Sequence, residues 1–272
     1  MLEKPLTTAF NDPKVIFWDS AETKTTVCRI IAEEPLSIRV EGKPYAVVMR
    51  TPGEELSHVA GFCLGEGLVD DLADIGTLGF CDEIDTNVVT VTLTKSRRRK
   101  IAPYMDRRQY ISQTSCGICG KEIVDDLIQH IDPMIDDTVV DGRQAADILE
   151  DLKSYQPMHR QTRASHASLL CGADYSILSR GEDVGRHNAL DKAIGQLFRK
   201  NQIDQARVLL LSSRTSYELI QKAGRAQIPI VFSVSRPTSL AVSLARRLNM
   251  TLACLGWPQG LLIFCGEQRI RL

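Results

Sequence analysis

The feature of the sequence that most restricts the fold is a regular alternation of apolar and amphipathic segments in the last third of the chain. Continuous apolar runs at 208–211, 228–234 and 251–255 are separated by segments with helical spacing at 217–225 and 240–248. Strands that alternate with helices in this way are typical of parallel strands that helices cover on both faces. The alternation therefore predicts a three-layer α/β/α domain in this part of the chain.

The same alternation predicts where a ligand would bind. Right-handed connections place the carboxyl ends of parallel strands at one edge of the sheet, and ligands of open α/β sheets bind at that edge. The edge would hold Ser212-Ser213-Arg214, Ser235-Arg236-Pro237-Thr238 and Leu255-Gly256-Trp257-Pro258-Gln259-Gly260. Hydroxyls and arginines beside helix N-termini suit an anionic ligand. Simple helix capping is the alternative, and it accounts for Thr238 more easily than for two arginines at one edge.

The first half of the chain has the pattern of a strand-rich domain. Apolar or alternating segments at 27–31, 36–40, 45–49 and 88–94 predict strands, and apolar residues at helical spacing predict a helix around 56–63. We therefore expect an α+β N-terminal part that precedes the α/β domain.

The boundary between the two parts is expected near an acid-rich stretch at 136–141. We accordingly predict an N-terminal domain over residues 1–134 and a C-terminal domain over 135–272. Further helices are predicted at 121–131 and 145–152. The basic run Ser96-Arg97-Arg98-Arg99-Lys100 is interpreted as a solvated loop, with a docking patch for an acidic partner as the alternative.

Composition excludes several classes of protein. The 272 residues include 33 Lys plus Arg and 34 Asp plus Glu, and this balance argues against a general nucleic-acid binder. No apolar run approaches the ~20 residues that span a bilayer, and the first ten residues lack a secretory signal. We expect a cytoplasmic protein without a membrane segment. Its 8 cysteines are too few for a disulfide scaffold, and most are expected to be buried, reduced thiols.

Two cysteines differ from the others in their surroundings. Cys116 and Cys119 form a Cys-x-x-Cys pair with a glycine after each of them, directly before the helix predicted at 121–131. A helix N-terminus lowers the pKa of a nearby thiol and so increases the reactive thiolate. Zinc binding, dithiol–disulfide exchange and transport of sulfur as a persulfide all fit such a pair, and two buried structural cysteines are the plain alternative.

The surrounding sequence weakens two of these chemistries. A zinc site needs three or four ligands, and no second Cys-x-x-Cys accompanies the pair, so no metal site is expected. Zinc deaminase chemistry is rejected because no histidine begins a His-x-Glu and Ser115 stands where the deaminase motif has proline. A thioredoxin-like pair would belong to the first strand–helix turn of a βαβ unit, whereas this pair lies mid-chain.

The segment Cys116-Gly117-Ile118-Cys119-Gly120 resembles the Cys-Gly-x-Cys-Gly motif of the FdhD family, the sulfurtransferases required for formate dehydrogenase activity. Further blocks resemble family signatures in the same order, from about residue 30 to 265. They are Ala32-Glu33-Glu34-Pro35, Ala60-Gly61-Phe62 to Glu66-Gly67, Glu182 to His187 with Ala189 to Lys192, Ser212 to Arg214 with Ser216 to Glu218, and Thr238 to Val242.

The resemblance implies a reaction and its partners. A cysteine desulfurase would give persulfide sulfur to Cys116, with Cys119 as the second cysteine of the pair. The sulfur would pass to a molybdenum (or tungsten) cofactor carrying two pterin guanine dinucleotides, which GDP-like nucleotides would mimic in part. The cofactor would then enter formate dehydrogenase. The family also implies a homodimer and a C-terminal half similar to the cytidine deaminase fold. A cofactor-binding chaperone that moves no sulfur is the alternative function.

The family pattern also suggests residues that bind the cofactor. The segment Leu255 to Gly260 matches the stretch associated with cofactor binding, and Ser213, Arg214 and Ser235 are expected to receive phosphates. His187 is a further candidate, with helix capping as the alternative; Asp183 and His166 are also possible pocket residues. One departure stands out: Thr162-Arg163-Ala164 lies where the family usually has glycine after threonine.

Overall fold

A computed structural model describes residues 9–81, 86–108 and 131–272, with only the backbone described for 103–108. Sixteen strands and seven helices lie in these ranges. The strands are β1 Phe10–Asn11, β2 Lys14–Trp18, β3 Thr23–Val27, β4 Ile30–Ile31, β5 Glu34–Val40, β6 Lys43–Arg50, β7 Ile75–Phe80, β8 Val88–Leu93, β9 Val140–Asp141, β10 His166–Cys171, β11 Ile177–Asp183, β12 Val208–Arg214, β13 Ile230–Ser235, β14 Thr251–Leu255, β15 Leu261–Cys265 and β16 Ile270–Arg271. The helices are α1 Glu55–Gly65, α2 Lys95–Arg108, α3 Gly142–Glu150, α4 Pro157–Thr162, α5 Arg186–Phe198, α6 Tyr217–Arg225 and α7 Ser239–Arg247.

The C-terminal half is built on a six-stranded sheet with the order β11-β10-β12-β13-β14-β15. Its centre, β12 to β14, is parallel, and α6 and α7 connect the three strands as the alternating sequence predicts. The outer strands β10, β11 and β15 are antiparallel to their neighbours and were not predicted. The mixed α/β class is therefore confirmed, and the similarity to the cytidine deaminase fold stays a prediction.

Helices cover both faces of this sheet. Leu209 and Leu211 face a core that includes residues of α5, α6 and α7. Leu210 and Phe232 point to the opposite face and pack in a second core with Leu149 of α3. Because successive side chains of a strand alternate between the two faces, strands buried on both sides must be apolar throughout. This is why the three central strands read as continuous apolar runs.

The N-terminal half contains a four-stranded sheet with the order β6-β5-β8-β7. The strands predicted at 36–40, 45–49 and 88–94 and the helix around 56–63 are all confirmed. The single strand predicted at 27–31 is wrong. The β2–β3 hairpin ends at Val27, which pairs with Lys14, and a separate short strand, β4, pairs with β1.

Helix α1 joins the two halves. All of its eleven residues are buried, because it lies between the N-terminal sheet and α5. The two helices meet at glycines: a Cβ atom on Gly195 would lie 1.7 Å from the carbonyl oxygen of Ser57, and one on Gly61 would lie 2.0 Å from that of Asp191. One apolar core runs from the N-terminal strands through α1 to α5, and the division at residue 134 stays a prediction.

The basic run at 96–100 is helical, so its interpretation as a loop is wrong. It begins α2, and Arg97 is buried, with its guanidinium paired to Asp70 and bonded to the carbonyl oxygens of Gly67 and Leu68, both at 2.8 Å. Four acceptor oxygens on three residues need a fixed guanidinium, which the helix supplies. The role of the run as a docking patch stays a prediction, and Arg98 and Arg99 are both exposed.

Two other predicted helices can be placed. The segment predicted at 145–152 is α3, which begins three residues earlier because Asp141 caps it by accepting from the backbone N–H groups of Arg143 and Gln144. The helix predicted at 121–131 lies outside the described residues, apart from Ile131. In the part of the chain that the structure describes, no helix has the length and apolar character needed to cross a membrane.

Candidate functional site

The carboxyl edge of the six-stranded sheet gathers residues from five strands. The parallel strands β12, β13 and β14 end there at Arg214, Ser235 and Leu255, and Arg214 and Ser235 are paired in register. Because β10 and β11 pair in an antiparallel hairpin beside β12, the start of β10 at His166 and the end of β11 at Asp183 lie at the same edge and face each other. The sequence alternation predicted the first three strand ends together, and the hairpin adds the last two.

The predicted phosphate ligands differ in exposure. Ser213 is buried, and its hydroxyl donates to the carbonyl oxygen of Arg214 at 3.0 Å. The hydroxyl hydrogen is therefore already used in a hydrogen bond within the protein. Arg214, Ser235 and Arg236 are exposed at the edge. Two guanidinium groups and a hydroxyl therefore face solvent at the ends of adjacent strands, the arrangement that an incoming anion needs.

The predicted cofactor-binding loop forms a closed turn at the third strand end. The backbone N–H of Gly256 donates to the carbonyl oxygen of Gly260 at 2.8 Å, and Gly260 has φ of +88°, a conformation that glycine adopts without strain. Trp257, Pro258 and Gln259 lie at the tip of this turn, and the Trp257 side chain is 92% exposed. An indole held in solvent by a closed turn is available to stack on a flat ligand.

His187 links two helices at this edge. It is the second residue of α5, and its Nε2 lies 2.7 Å from a carboxylate oxygen of Glu218 and 3.3 Å from the hydroxyl oxygen of Ser216, at the start of α6. The hydrogen bond from His187 lowers the pKa of Glu218. The capping alternative is wrong, because Gly185 occupies the N-cap and the imidazole contacts the neighbouring helix.

His166 lies close to cationic side chains at this edge. It is half-buried, and burial lowers its pKa, with Arg186, His159 and His187 lowering it further. At neutral pH it is therefore an uncharged imidazole beside arginine. Within residues 9–81, 86–108 and 131–272, no three His, Cys, Asp or Glu side chains are grouped so that they could hold a metal ion.

A layer of buried charges beneath the edge was missed by the sequence analysis. Asp191 of α5 accepts two hydrogen bonds from Lys222 of α6, at 2.8 and 2.9 Å. Arg50, which is fully buried, lies 3.0 Å from the carboxylate of Glu55. The only sequence signal is that Glu55, Asp191 and Lys222 fall among the apolar residues of their helices, whereas Arg50 ends strand β6. Each carboxylate neutralises a buried cation, as burial of a charge requires.

His58 lies within this charged layer and makes the stability sensitive to acid. Burial lowers its pKa well below 6.5, and the charges of Lys192, Lys222 and Arg50 lower it further. Below about pH 6.5 the unfolded chain binds a proton at this residue and the folded chain does not, so stability is present above that pH and lost as the pH falls.

We expect the free energy of unfolding to fall by up to ~1.4 kcal/mol per pH unit between about pH 6 and 5 on account of His58 alone. Denaturant titrations of the wild type and of His58→Leu over this range measure it, because leucine cannot titrate. The wild type should lose stability relative to His58→Leu as the pH falls. Parallel pH profiles would contradict the assignment.

The reactive cysteine pair cannot be placed, since Cys116 and Cys119 lie outside the described residues. The six other cysteines are free; Cys63, Cys171 and Cys254 are buried, whereas Cys28 and Cys81 are exposed. Three of these six cysteines are therefore buried, whereas we expected most of them to be. Burial raises the pKa of both Cys63 and Cys171 to about 12, and since the thiolate is the nucleophile, these two are poor sulfur acceptors.

The departure at Arg163 has a local consequence. Arg163 ends α4 with φ of +56°, in the left-handed region that glycine adopts most easily. The family's usual glycine fits this backbone without strain. Here arginine adopts the same conformation, and its N–H still donates to the carbonyl oxygen of His159 at 2.7 Å. The turn is therefore kept despite the substitution.

Comparison with known proteins gives a consistent result. The model of the FdhD/NarQ family matches residues 31–271. The chain is 33% identical over 255 residues to the sulfur carrier protein FdhD of Anaeromyxobacter dehalogenans strain 2CP-1, covering 89% of this chain and 88% of that protein. It is 36% identical over 269 residues to the sulfur carrier protein FdhD of Streptomyces coelicolor, covering 95% of each.

A solved structure has the same fold. The crystal structure of a candidate formate dehydrogenase accessory protein from Desulfotalea psychrophila superimposes with a TM-score of 0.75 at 20% sequence identity. The alignment covers 97% of this chain and 100% of that one. At this identity the similarity concerns the fold.

Proposed function

This chain belongs to the FdhD/NarQ family, and we propose that it is a sulfur carrier that serves formate dehydrogenase. The match over residues 31–271 to a family whose members are named sulfur carrier proteins is the observation that carries the proposal. Sulfur would arrive from a cysteine desulfurase. It would leave to a molybdenum cofactor with two pterin guanine dinucleotides, bound as the substrate.

The acceptance of sulfur is a displacement at a persulfide. The thiolate of Cys116 forms a bond to the outer sulfur of the donor persulfide, and the bond between that sulfur and the donor cysteine breaks. The donor leaves as a thiolate, and the new persulfide is on this chain. No electron is gained or lost overall, as in thiol–disulfide exchange. The chain acts here as a sulfurtransferase with a persulfide intermediate.

The carboxyl edge of the sheet is proposed as the site that holds the nucleotide part of the substrate. The exposed guanidinium groups of Arg214 and Arg236 and the hydroxyl of Ser235 stand at adjacent strand ends. Trp257 offers an exposed ring for a guanine or pterin plane. Charge-assisted bonds to phosphate and stacking on the base would then act on the two ends of the same nucleotide.

A mass measurement tests the sulfur-carrier function against the chaperone alternative. The full-length chain is incubated with a cysteine desulfurase and L-cysteine, and its intact mass and its Cys116-containing peptide are measured without reductant. A gain of one sulfur atom on Cys116 or Cys119 supports the carrier. A chain that never gains sulfur but still binds GDP would be the chaperone.

Replacing Arg214 by alanine tests the proposed nucleotide site. We expect the affinity for GDP to fall by ~10- to 150-fold in calorimetry, because one charge-assisted hydrogen bond contributes roughly 1.5–3 kcal/mol. Arg207, which directly precedes the same strand at its opposite end, is the control, and its replacement by alanine should leave the affinity for GDP unchanged. Equal losses of GDP affinity in both variants would mean that only the overall charge of the protein matters. An unchanged GDP affinity in Arg214→Ala would mean that the nucleotide binds elsewhere.

Two further expectations follow from family membership. A homodimer is the usual assembly of a soluble homo-oligomer and is expected here from the resemblance. The cytoplasm is the expected compartment, because its reducing surroundings keep cysteine thiols free of disulfides.

A further inference from the structure

Asp183 is a buried carboxylate with four hydrogen-bonding partners. Its side chain is fully buried at the end of β11. One oxygen lies 2.7 Å from Nζ of Lys192 and accepts from the backbone N–H of Thr51 at 3.0 Å. The other accepts from the N–H of Gly185 at 2.9 Å and from the side-chain amide of Asn188 at 3.0 Å. One carboxylate thus binds the N-terminal half, the turn after β11 and two turns of α5.

Other bonds tie the same turn to the N-terminal half. The N–H of Val184 donates to the hydroxyl of Thr51 at 3.1 Å, and the amide of Asn188 donates to the carbonyl oxygen of Met49 at 2.7 Å. The ammonium group of Lys192 donates to the carbonyl oxygen of Thr51 at 2.8 Å. The first turn of α5 is therefore fixed by residues more than 130 positions away in the sequence.

This turn carries His187 to the carboxyl edge of the sheet. A carboxylate can only accept, so Nε2 of His187 holds the hydrogen that it shares with Glu218 at 2.7 Å. Nδ1 of the neutral ring is then a hydrogen-bond acceptor that a ligand could use. A displacement of the turn by about an ångström would break the contact with Glu218 and leave the tautomer of the ring unspecified.

We propose that Asp183 is a positioning residue for His187: it fixes the 183–188 turn between the two halves of the molecule and thereby fixes the orientation and tautomer of that imidazole at the nucleotide edge. The proposal deepens the function proposed above and rests on it for the identity of the ligand. The geometry of the imidazole itself does not depend on that function.

A second buried ion pair in the same helix provides a matched control. Asp191 pairs with Lys222 at 2.8 Å, and both side chains are almost fully buried, as are Asp183 and Lys192. The Asp191 pair joins α5 to α6, and the hydrogen bonds of this carboxylate go to Lys222 rather than to the 183–188 turn, so that only its charge reaches His187. A role of Asp183 in stability alone would therefore make the two aspartates equivalent.

The test uses the full-length protein and imidazole NMR spectra of the nucleotide-free chain. Two-bond ¹H–¹⁵N spectra report the tautomer of each histidine, and His187→Gln identifies the signals of His187. We expect Asp183→Asn to change the His187 pattern from a fixed Nε2–H tautomer to an average of the two. Asp191→Asn should leave it fixed. An unchanged His187 pattern in folded Asp183→Asn would overturn the proposal.

A milder variant covers the case in which Asp183→Asn does not fold. Thr51→Val keeps the size of the side chain and removes only the hydroxyl that accepts from Val184. It should shift the His187 pattern in the same direction by a smaller amount, and no shift would also overturn the proposal.

Calorimetry with GDP then connects the geometry to the ligand. We expect about a tenfold loss of affinity in Asp183→Asn and no loss in Asp191→Asn. A wild-type chain that binds no GDP would contradict the nucleotide site while leaving the NMR result intact. An altered His187 pattern with unchanged GDP affinity would overturn the link between positioning and binding.

Discussion

Replacing Cys116 by alanine is expected to abolish the transfer of sulfur to this chain and the maturation of formate dehydrogenase, with the fold preserved. The persulfide needs a thiolate, and alanine offers none. The fold should survive because a thiol in a glycine-rich segment contributes little to a core. Two measurements check it: the mass of the chain after incubation with a desulfurase, and formate dehydrogenase activity in cells that make only the variant.

Two other cysteine variants are the controls for this result. Cys28 is an exposed free cysteine outside the motif, and Cys28→Ala should load sulfur and support maturation as the wild type does. Cys119→Ala distinguishes a relay from a stabilising neighbour: a chain that loads sulfur and fails in maturation indicates a relay. Full maturation with Cys116→Ala would refute the persulfide assignment.

Replacing Gly195 by alanine is expected to destabilise the folded protein by about 3 kcal/mol or more. In most helices this change stabilises, since glycine costs roughly 0.5–1 kcal/mol relative to alanine. Here the new Cβ would lie 1.7 Å from the carbonyl oxygen of Ser57, which is backbone and cannot turn away. The helices would have to separate, and overpacking of a closed contact costs typically 1–3 kcal/mol and occasionally more.

The size of that loss can be measured by chemical denaturation. A natural domain is stable by about 5–15 kcal/mol, so the midpoint should fall by a large fraction. Gly79 is the control, because a Cβ built there meets nothing within 4 Å and Gly79→Ala should leave the midpoint nearly unchanged. Equal midpoints for the two variants would mean that α1 and α5 can move apart at little cost.

The parts of the fold that could be predicted are those whose pattern is local. The strands at 208–214 and 230–235 are apolar because both faces are covered, and the helices between them keep one apolar face. The antiparallel strands at 166–171 and 261–265 have no such alternating context. Their pairing depends on the sheet that they join rather than on their own residues.

The burial of a charged residue also depends on partners that are distant in the sequence. Arg97 belongs to a run of basic residues that would suit solvent, and only the position of Asp70, 27 residues earlier, makes it a buried structural group. Helical content of that run could have been expected from the propensity of its residues. The interpretation of the run as a loop depended on its charge pattern alone.

The candidate site was predictable in outline. The rule that parallel strands end at one edge brought together Arg214, Ser235 and Leu255, and the structure adds His166 and Asp183 through an antiparallel hairpin. Contacts such as those between Asp183 and the Thr51 segment join positions 132 residues apart, which no periodicity encodes. Whether these residues bind the nucleotide stays a prediction.

The burial of α1 on all sides has a consequence for synthesis of the protein. The ribosome releases the N-terminal strands and α1 well before α5 and α6 exist, yet one side of α1 is covered by these two later helices. A nascent chain that has just completed the first sheet therefore exposes an apolar helix face to the cell. We expect such a chain to need protection from aggregation until α5 and α6 emerge, and the first half produced alone to aggregate.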